Sequence, residues 1–171
     1  IGGVDAIFFG AIGWPATVPD HVSLWGSLPK FRRDFDQYVN LRPVRLLDGV
    51  PCPLAGRKPG DIDYVVVREN TEGLFWARGR GVVDGDAVCD TMRISRAGTS
   101  RVVDFALRLA RTRREQGKQG RVTNVDKANV FLSMAFWRQV FEERAKAFPD
   151  VPTENAYGDA MALNLGMKPW A

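Results

Sequence analysis

Residues Val65–Gly73 read V-V-V-R-E-N-T-E-G, an apolar, strand-like run that stops abruptly in an arginine, two carboxylates, an amide and a hydroxyl. Such a run either surfaces as a solvated loop or delivers Arg68, Glu69 and Asn70 to the carboxyl end of a sheet strand, where α/β proteins commonly build sites. The pattern recurs in T-N-V-D-K-A-N-V (Thr123–Val130), which sets Asp126, Lys127 and Asn129 between a short strand and a new helix. Arginine presents a planar fork that matches carboxylates in pairs. Arg32 lies in a helical pattern, Arg42 enters a strand and Arg68 ends one, so three forks from three elements could meet a substrate with two or more carboxylates. From spacing alone, a one-turn pairing of Arg32 with Asp36, and rim positions for Arg42 and Arg68, is the favoured account. Lys127 suits a general base if burial or cationic neighbours lower its pKa, and is otherwise an exposed turn lysine. Asp159, in the small, apolar helix A-Y-G-D-A-M-A-L-N-L, offers an oxygen ligand for Mg²⁺ or Mn²⁺, or complements a helix dipole.

The 171 residues suffice for one sizeable core, or for one domain and part of another. At 45% hydrophobic and 26% charged, the composition is that of a globular protein, and no apolar run is long enough to cross a bilayer. Two cysteines make no disulfide framework and have no metal-ligand spacing, so a reduced, cytoplasmic setting is expected. The net charge of +4 is mild. The basic stretch Arg108–Arg121 reads as a solvated helix end, and neither nucleic acid nor membrane is expected as a partner. G-R-G-V-V-D-G (Gly79–Gly85) has the wrong glycine spacing and context for a dinucleotide fingerprint and reads as hairpin turns. His21, the sole histidine, is expected at the surface. Both ends read as the interior of a longer chain.

The elements that must position these residues follow from periodicity. Strands are expected at Val4–Phe9, Leu41–Leu47, Ile62–Val67 (continuously buried) and Arg121–Val125. Asp84-Gly85 marks a hairpin within Gly81–Ser95, which projects as an arm. Helices are expected over Ser23–Tyr38 with Pro29 interrupting, Arg96–Arg114 with Val102, Val103, Phe105, Ala106, Leu109 and Ala110 inward, Val130–Phe148, and Ala156–Leu165. Strands alternating with helices give an α/β class.

Five segments in order carry a resemblance: G-A-I-G-W-P (Gly10–Pro15), S-L-W-G-S-L-P-K-F-R-R-D-F-D-Q-Y-V-N-L-R-P (Ser23–Pro43), V-R-E-N-T-E-G (Val67–Gly73), V-D-K-A-N-V (Val125–Val130) and D-A-M-A-L-N-L (Asp159–Leu165). Together they resemble the decarboxylating β-hydroxyacid dehydrogenases, the isocitrate/isopropylmalate dehydrogenase family, with wording nearest the tartrate/D-malate branch. The resemblance implies an isopropylmalate-dehydrogenase-like α/β fold. Residues 1–40 would belong to the large, nucleotide-side domain, and residues 41–171 to the small dimerisation domain with its arm at 81–95. It implies NAD- and Mg²⁺- or Mn²⁺-dependent oxidation, with decarboxylation, of a 2-hydroxy dicarboxylate such as tartrate, D-malate or isopropylmalate, in a homodimer with shared active sites. Arg32, Arg42 and Arg68 then bind substrate, and Lys127 helps remove the hydroxyl proton. Glu69, Asn70 and Asn129 line the cleft beside the nicotinamide, and Asp159 is a metal ligand. The nucleotide-binding loop and two further metal aspartates are expected beyond Ala171. One position departs from the family: Phe75 stands where a tyrosine protonates the enolate. That departure keeps open the alternative of an inactive, structural, dimerising homologue.

Overall fold

The structure, a computed structural model, describes residues 3–11, 13, 14, 16–23, 26–77 and 79–168, with Asp20 described by its backbone alone. Ile12 and Pro15 of the first motif, and Leu24 and Trp25 of the second, lie outside the described residues. The chain divides into two compact units, Ile1–Gln37 and Tyr38–Ala171.

The first unit holds two short helices, α1 (Asp20–Ser23) and α2 (Leu28–Asp34). The single helix expected over Ser23–Tyr38 is therefore corrected. Pro29 sits in the first turn of α2, where a missing N–H is harmless, so the proline begins the helix rather than interrupting it. Phe31 packs edge-on to Phe9 at 5.5 Å and stacks on Phe35 at 6.3 Å. Val4–Phe9 is not a buried strand: it is irregular backbone outside any sheet, with Val4, Ile7 and Phe8 exposed. An apolar run becomes a strand only beside an edge, and the described residues of this unit contain no strand to offer one.

The second unit begins with an antiparallel ribbon, β1 (Val39–Arg45) against β2 (Asp63–Glu69). With that one neighbour, β2 is half-buried rather than continuously buried, and its Val66 is exposed. The expected arm forms as β3 (Val82–Asp84) and β4 (Ala87–Cys89), exposed throughout. Its two loop residues are Gly85-Asp86, not Asp84-Gly85. The positive φ of 55° at Gly85 puts glycine first in the turn, as a two-residue II′ connection requires.

Helix α3 (Arg96–Glu115) starts at Ser95, whose hydroxyl accepts from the Gly98 N–H. Thr99, Val102, Val103, Leu107 and Ala110 form its buried stripe. Phe105, Ala106 and Leu109 flank that stripe half-buried, so the inward face is rotated from expectation and includes Leu107. Strand β5 (Val122–Asp126), helix α4 (Leu132–Ala145) and strand β6 (Thr153–Tyr157) form a parallel βαβ unit, and α5 (Gly158–Met167) follows directly. The sequence pattern missed β6. T-E-N-A-Y is polar and largely exposed, and only its pairing with β5 makes it a strand. The core lies where α3 and α4 meet, from Val103, Leu107, Ala110, Phe141, Phe148 and Val151, with Val122 of β5 against it. The two helices are also joined through Arg144 to Asp104, bidentate at 2.8 Å, and Arg96 to Glu143.

Candidate functional site

The carboxyl end of β2 answers the question that its sequence raises. Asn40 lies opposite Arg68 in the ribbon register, and Arg42 is two residues on. Side chains alternate along a strand, so Arg42 and Arg68 share one face as diagonal neighbours, about 7–8 Å apart at the backbone. Asn40 Oδ1 accepts from Arg42 Nε at 3.0 Å, and the Arg68 guanidinium lies 4.9 Å from the centre of the Phe75 ring. Thus two of the three expected substrate arginines come together. Arg32 stands half-buried in the last turn of α2, in the first unit.

The acidic groups beyond Arg68 turn back on the protein. The Glu69 carboxylate accepts from Thr71 N at 3.0 Å, Thr71 Oγ1 at 2.5 Å and Glu72 N at 2.8 Å. Glu72 accepts from the backbone and hydroxyl of Ser95 at 2.7 and 2.6 Å, at the start of α3. A side chain at Gly98 would meet that carboxylate at 2.7 Å, so glycine lets Glu72 close on the helix. Asn70 is buried, with its N–H bonded to Tyr38 O at 3.0 Å. The two carboxylates therefore shape a loop that holds Arg68 and Phe75.

At the other strand end, Lys127 follows β5 and Asp159 lies in the first turn of α5, just after β6. Asp126 and Tyr157 are register partners, so these parallel strands deliver both residues to the same edge. Lys127 Nζ donates to Asp159 Oδ1 at 2.8 Å, and this bond holds the Asp159 carboxyl below the usual carboxylate range. Lys127 is about one-third exposed and Asp159 is mostly exposed, so the pair faces outward. Asn129 is exposed in the turn before α4.

Sequence reasoning missed what holds this edge. The Asp126 side chain is fully buried and accepts four bonds: from Asn124 Nδ2 at 2.7 Å, Ala128 N at 2.9 Å, and Arg138 Nε and Nη2 at 2.9 and 2.7 Å. Asp126 was visible as a polar strand terminus. No sequence signal connected it to Arg138, twelve residues on in α4. Behind it, Asn124 accepts from Trp137 Nε1 at 2.6 Å and donates to Asn155 Oδ1 at 2.9 Å, joining both strands to the helix.

A divalent ion at Asp159 was implied by the family resemblance. Among the described residues, no three His, Cys, Asp or Glu side chains converge to hold a metal. Asp159 is a single oxygen donor already bonded to an ammonium, whereas Mg²⁺ demands a near-octahedral set of oxygens. The described residues of this chain do not form a metal site by themselves. No helix among them is long and apolar enough to cross a membrane.

A family model described as isocitrate/isopropylmalate dehydrogenase matches residues 2–171. The chain is 47% identical over 169 residues to the D-malate dehydrogenase [decarboxylating] of Escherichia coli (strain K12), covering 96% of this chain and 46% of that protein. It is 45% identical over 170 residues to the tartrate dehydrogenase/decarboxylase of Pseudomonas putida, covering 96% and 45%. The crystal structure of TT0538 protein from Thermus thermophilus superposes with a TM-score of 0.71 at 33% identity, over 82% of this chain and 27% of that one. The chain thus spans less than half the length of these curated relatives.

Proposed function

The chain belongs to the isocitrate/isopropylmalate dehydrogenase family, within its tartrate/D-malate branch, and on that premise we propose that it carries the substrate-binding part of a 2-hydroxy dicarboxylate dehydrogenase. The observation that carries this reading is the pair of strand ends. One sets two guanidinium groups on a single ribbon face, and the other sets a lysine against a carboxylate at the edge of a parallel sheet. Arg42 and Arg68 bind the carboxylates of a substrate such as D-malate, tartrate or isopropylmalate, and the family resemblance gives Arg32 the same role. The planar fork fixes both charge and orientation. Once Lys127 has given up its ammonium proton, the neutral amine accepts the hydroxyl proton as hydride leaves the carbon that bears the hydroxyl, and Asp159 accepts a hydrogen bond from the same nitrogen and holds it in place. NAD supplies the hydride acceptor when bound. Asn129, in the exposed turn, and Glu69 and Asn70 would line the cleft beside it. Asp159 would contribute one oxygen to a Mg²⁺ or Mn²⁺ ion, which would polarise the hydroxyl.

Residues 1–40 belong on this reading to the nucleotide-side domain, and residues 41–171 to a dimerisation domain. The apolar surface supports a homodimer with shared sites. Val82, Val83 and Val88 of the arm, Val130, Phe131 and Leu132 at the start of α4, and Leu163 and Met167 of α5 are all exposed. One observation favours the alternative, an inactive dimerising homologue: Phe75 has no proton to give to an enolate, and its ring lies against Arg68.

The experiment that separates the two follows NADH formation by full-length protein with NAD, Mn²⁺ and each of the three hydroxyacids. Turnover by wild type, and a loss of about 10²–10⁴-fold in Lys127→Ala, is the expected result. No reduction with any of the three replaces the dehydrogenase reading with the inactive one, and a normal NADH burst from Lys127→Ala removes Lys127 from the hydride step.

A further inference from the structure

We infer that Arg138 is the positioning residue for Lys127 and Asp159, clamping the ends of the two parallel strands so that the lysine and the carboxylate meet. Its guanidinium touches the last residue of each strand. It pairs in bidentate fashion with Asp126, which ends β5, and lies 4.8 Å from the ring centre of Tyr157, which ends β6. Lys127 follows the first of these residues, and Gly158 and Asp159 follow the second.

The clamp reaches the backbone as well. Asp126 Oδ1 accepts from Ala128 N at 2.9 Å, bending the chain around Lys127, and Lys127 O accepts from Val130 N and Phe131 N, both at 3.0 Å. Both directions at Lys127 are thereby fixed. The Asp126 carboxylate is fully buried and the Arg138 side chain is 23% exposed, so the pair works in a low-dielectric setting where geometry is held tightly. At the surface, the Lys127–Asp159 bond joins two side chains that water can solvate separately. That bond follows from the placement of the strand ends. A lysine at 138 keeps the charge but supplies neither the two parallel N–H groups nor a flat face for Tyr157.

This inference rests on the reading of Lys127 as the base, and its test has one arm that does not. In full-length protein with NAD, Mn²⁺ and D-malate, Arg138→Lys is expected to lower kcat about 10- to 100-fold while KM for D-malate moves less than about threefold, because misplacement is felt in the chemical step. In the crystal structure of the same variant, Lys127 Nζ and Asp159 are expected to have separated beyond hydrogen-bond distance. A folded variant with wild-type kcat overturns the inference, and so does a retained Lys127–Asp159 contact. If wild type shows no turnover, the proposed function falls and the crystal structure alone decides the clamp. Should Arg138→Lys fail to fold, Tyr157→Leu leaves the Asp126 pair intact and removes only the ring. A separated Lys127–Asp159 pair supports the clamp, and an unchanged pair overturns it.

Discussion

The two strand ends solve one problem in different ways. Each runs a strand into charged residues, and each uses a carboxylate to hold the loop beyond. At β2 the loop carboxylates, Glu69 and Glu72, are satisfied chiefly by backbone N–H groups and hydroxyls. At β5 the carboxylate, Asp126, is fully buried and satisfied by a guanidinium from another element. The β2 loop is held by its own N–H groups and by the backbone and hydroxyl at the start of α3. The β5–β6 pair has a crossover helix on it, which brings the Arg138 guanidinium within reach. A single edge of parallel strands can therefore place two reactive groups together, whereas the antiparallel ribbon places two arginines on a face.

Substitution tests that contrast directly. The largest effect is expected from Asp126→Asn, which leaves Arg138 facing an uncharged partner in a buried setting. Unfolding free energy from urea titration should fall by about 3–5 kcal/mol. A loss below about 1 kcal/mol would make this pair no different from a surface one and erase the distinction.

The middle effect lies at the amino end of β2, where Asp63 binds Lys118 at 2.7 Å and Arg113 at 2.8 Å, with Arg45 at 3.4 Å. The Lys118 bond, then the Arg113 bond, hold its carboxyl well below the usual carboxylate range. A depressed folded pKa adds stability that is complete above the unfolded value, near about pH 4, and is lost as the pH falls toward the folded value. Asp63→Asn should thus cost about 1–2 kcal/mol at neutral pH, with the gap from wild type narrowing below about pH 4. A gap that is constant with pH would show that the charge of Asp63 contributes nothing.

The smallest effect is expected from Phe75→Tyr. The aromatic face under Arg68 is kept, so the NADH burst in stopped flow should stay within about twofold, while release or partitioning of the decarboxylated product changes more. A burst slowed about tenfold or more would place Phe75 in the hydride step and break the division of labour between the two ends.

Much of this was legible in the chain. Packing decided the face that α3 turns inward, whereas the extent of α3, the glycine turn of the arm and the places of β1, β2 and β5 follow from period and turn chemistry. So do the residues that resemble the family at each strand end, because their types are adjacent in sequence. Val4–Phe9 misled because hydrophobicity reports a wish for burial, and no described neighbour in its unit supplies an edge. Strand β6 was hidden because a polar, exposed segment carries no hydrophobic signal, and its hydrogen-bonding partner lies some thirty residues away in β5.

The chain by itself thus determined its family, its alternating helices and strands, and the identity of its arginines, lysine and carboxylates, since these depend on residue type and local order. Tertiary structure decided which carboxylates are free to face outward. Glu69, Glu72 and Asp126 look as reactive in sequence as Asp159, and only the fold shows that the first three turn onto backbone N–H groups and a guanidinium while Asp159 meets Lys127 at an exposed edge. Hydrogen-bond satisfaction depends on distance and direction in space, and spacing along the chain carries neither.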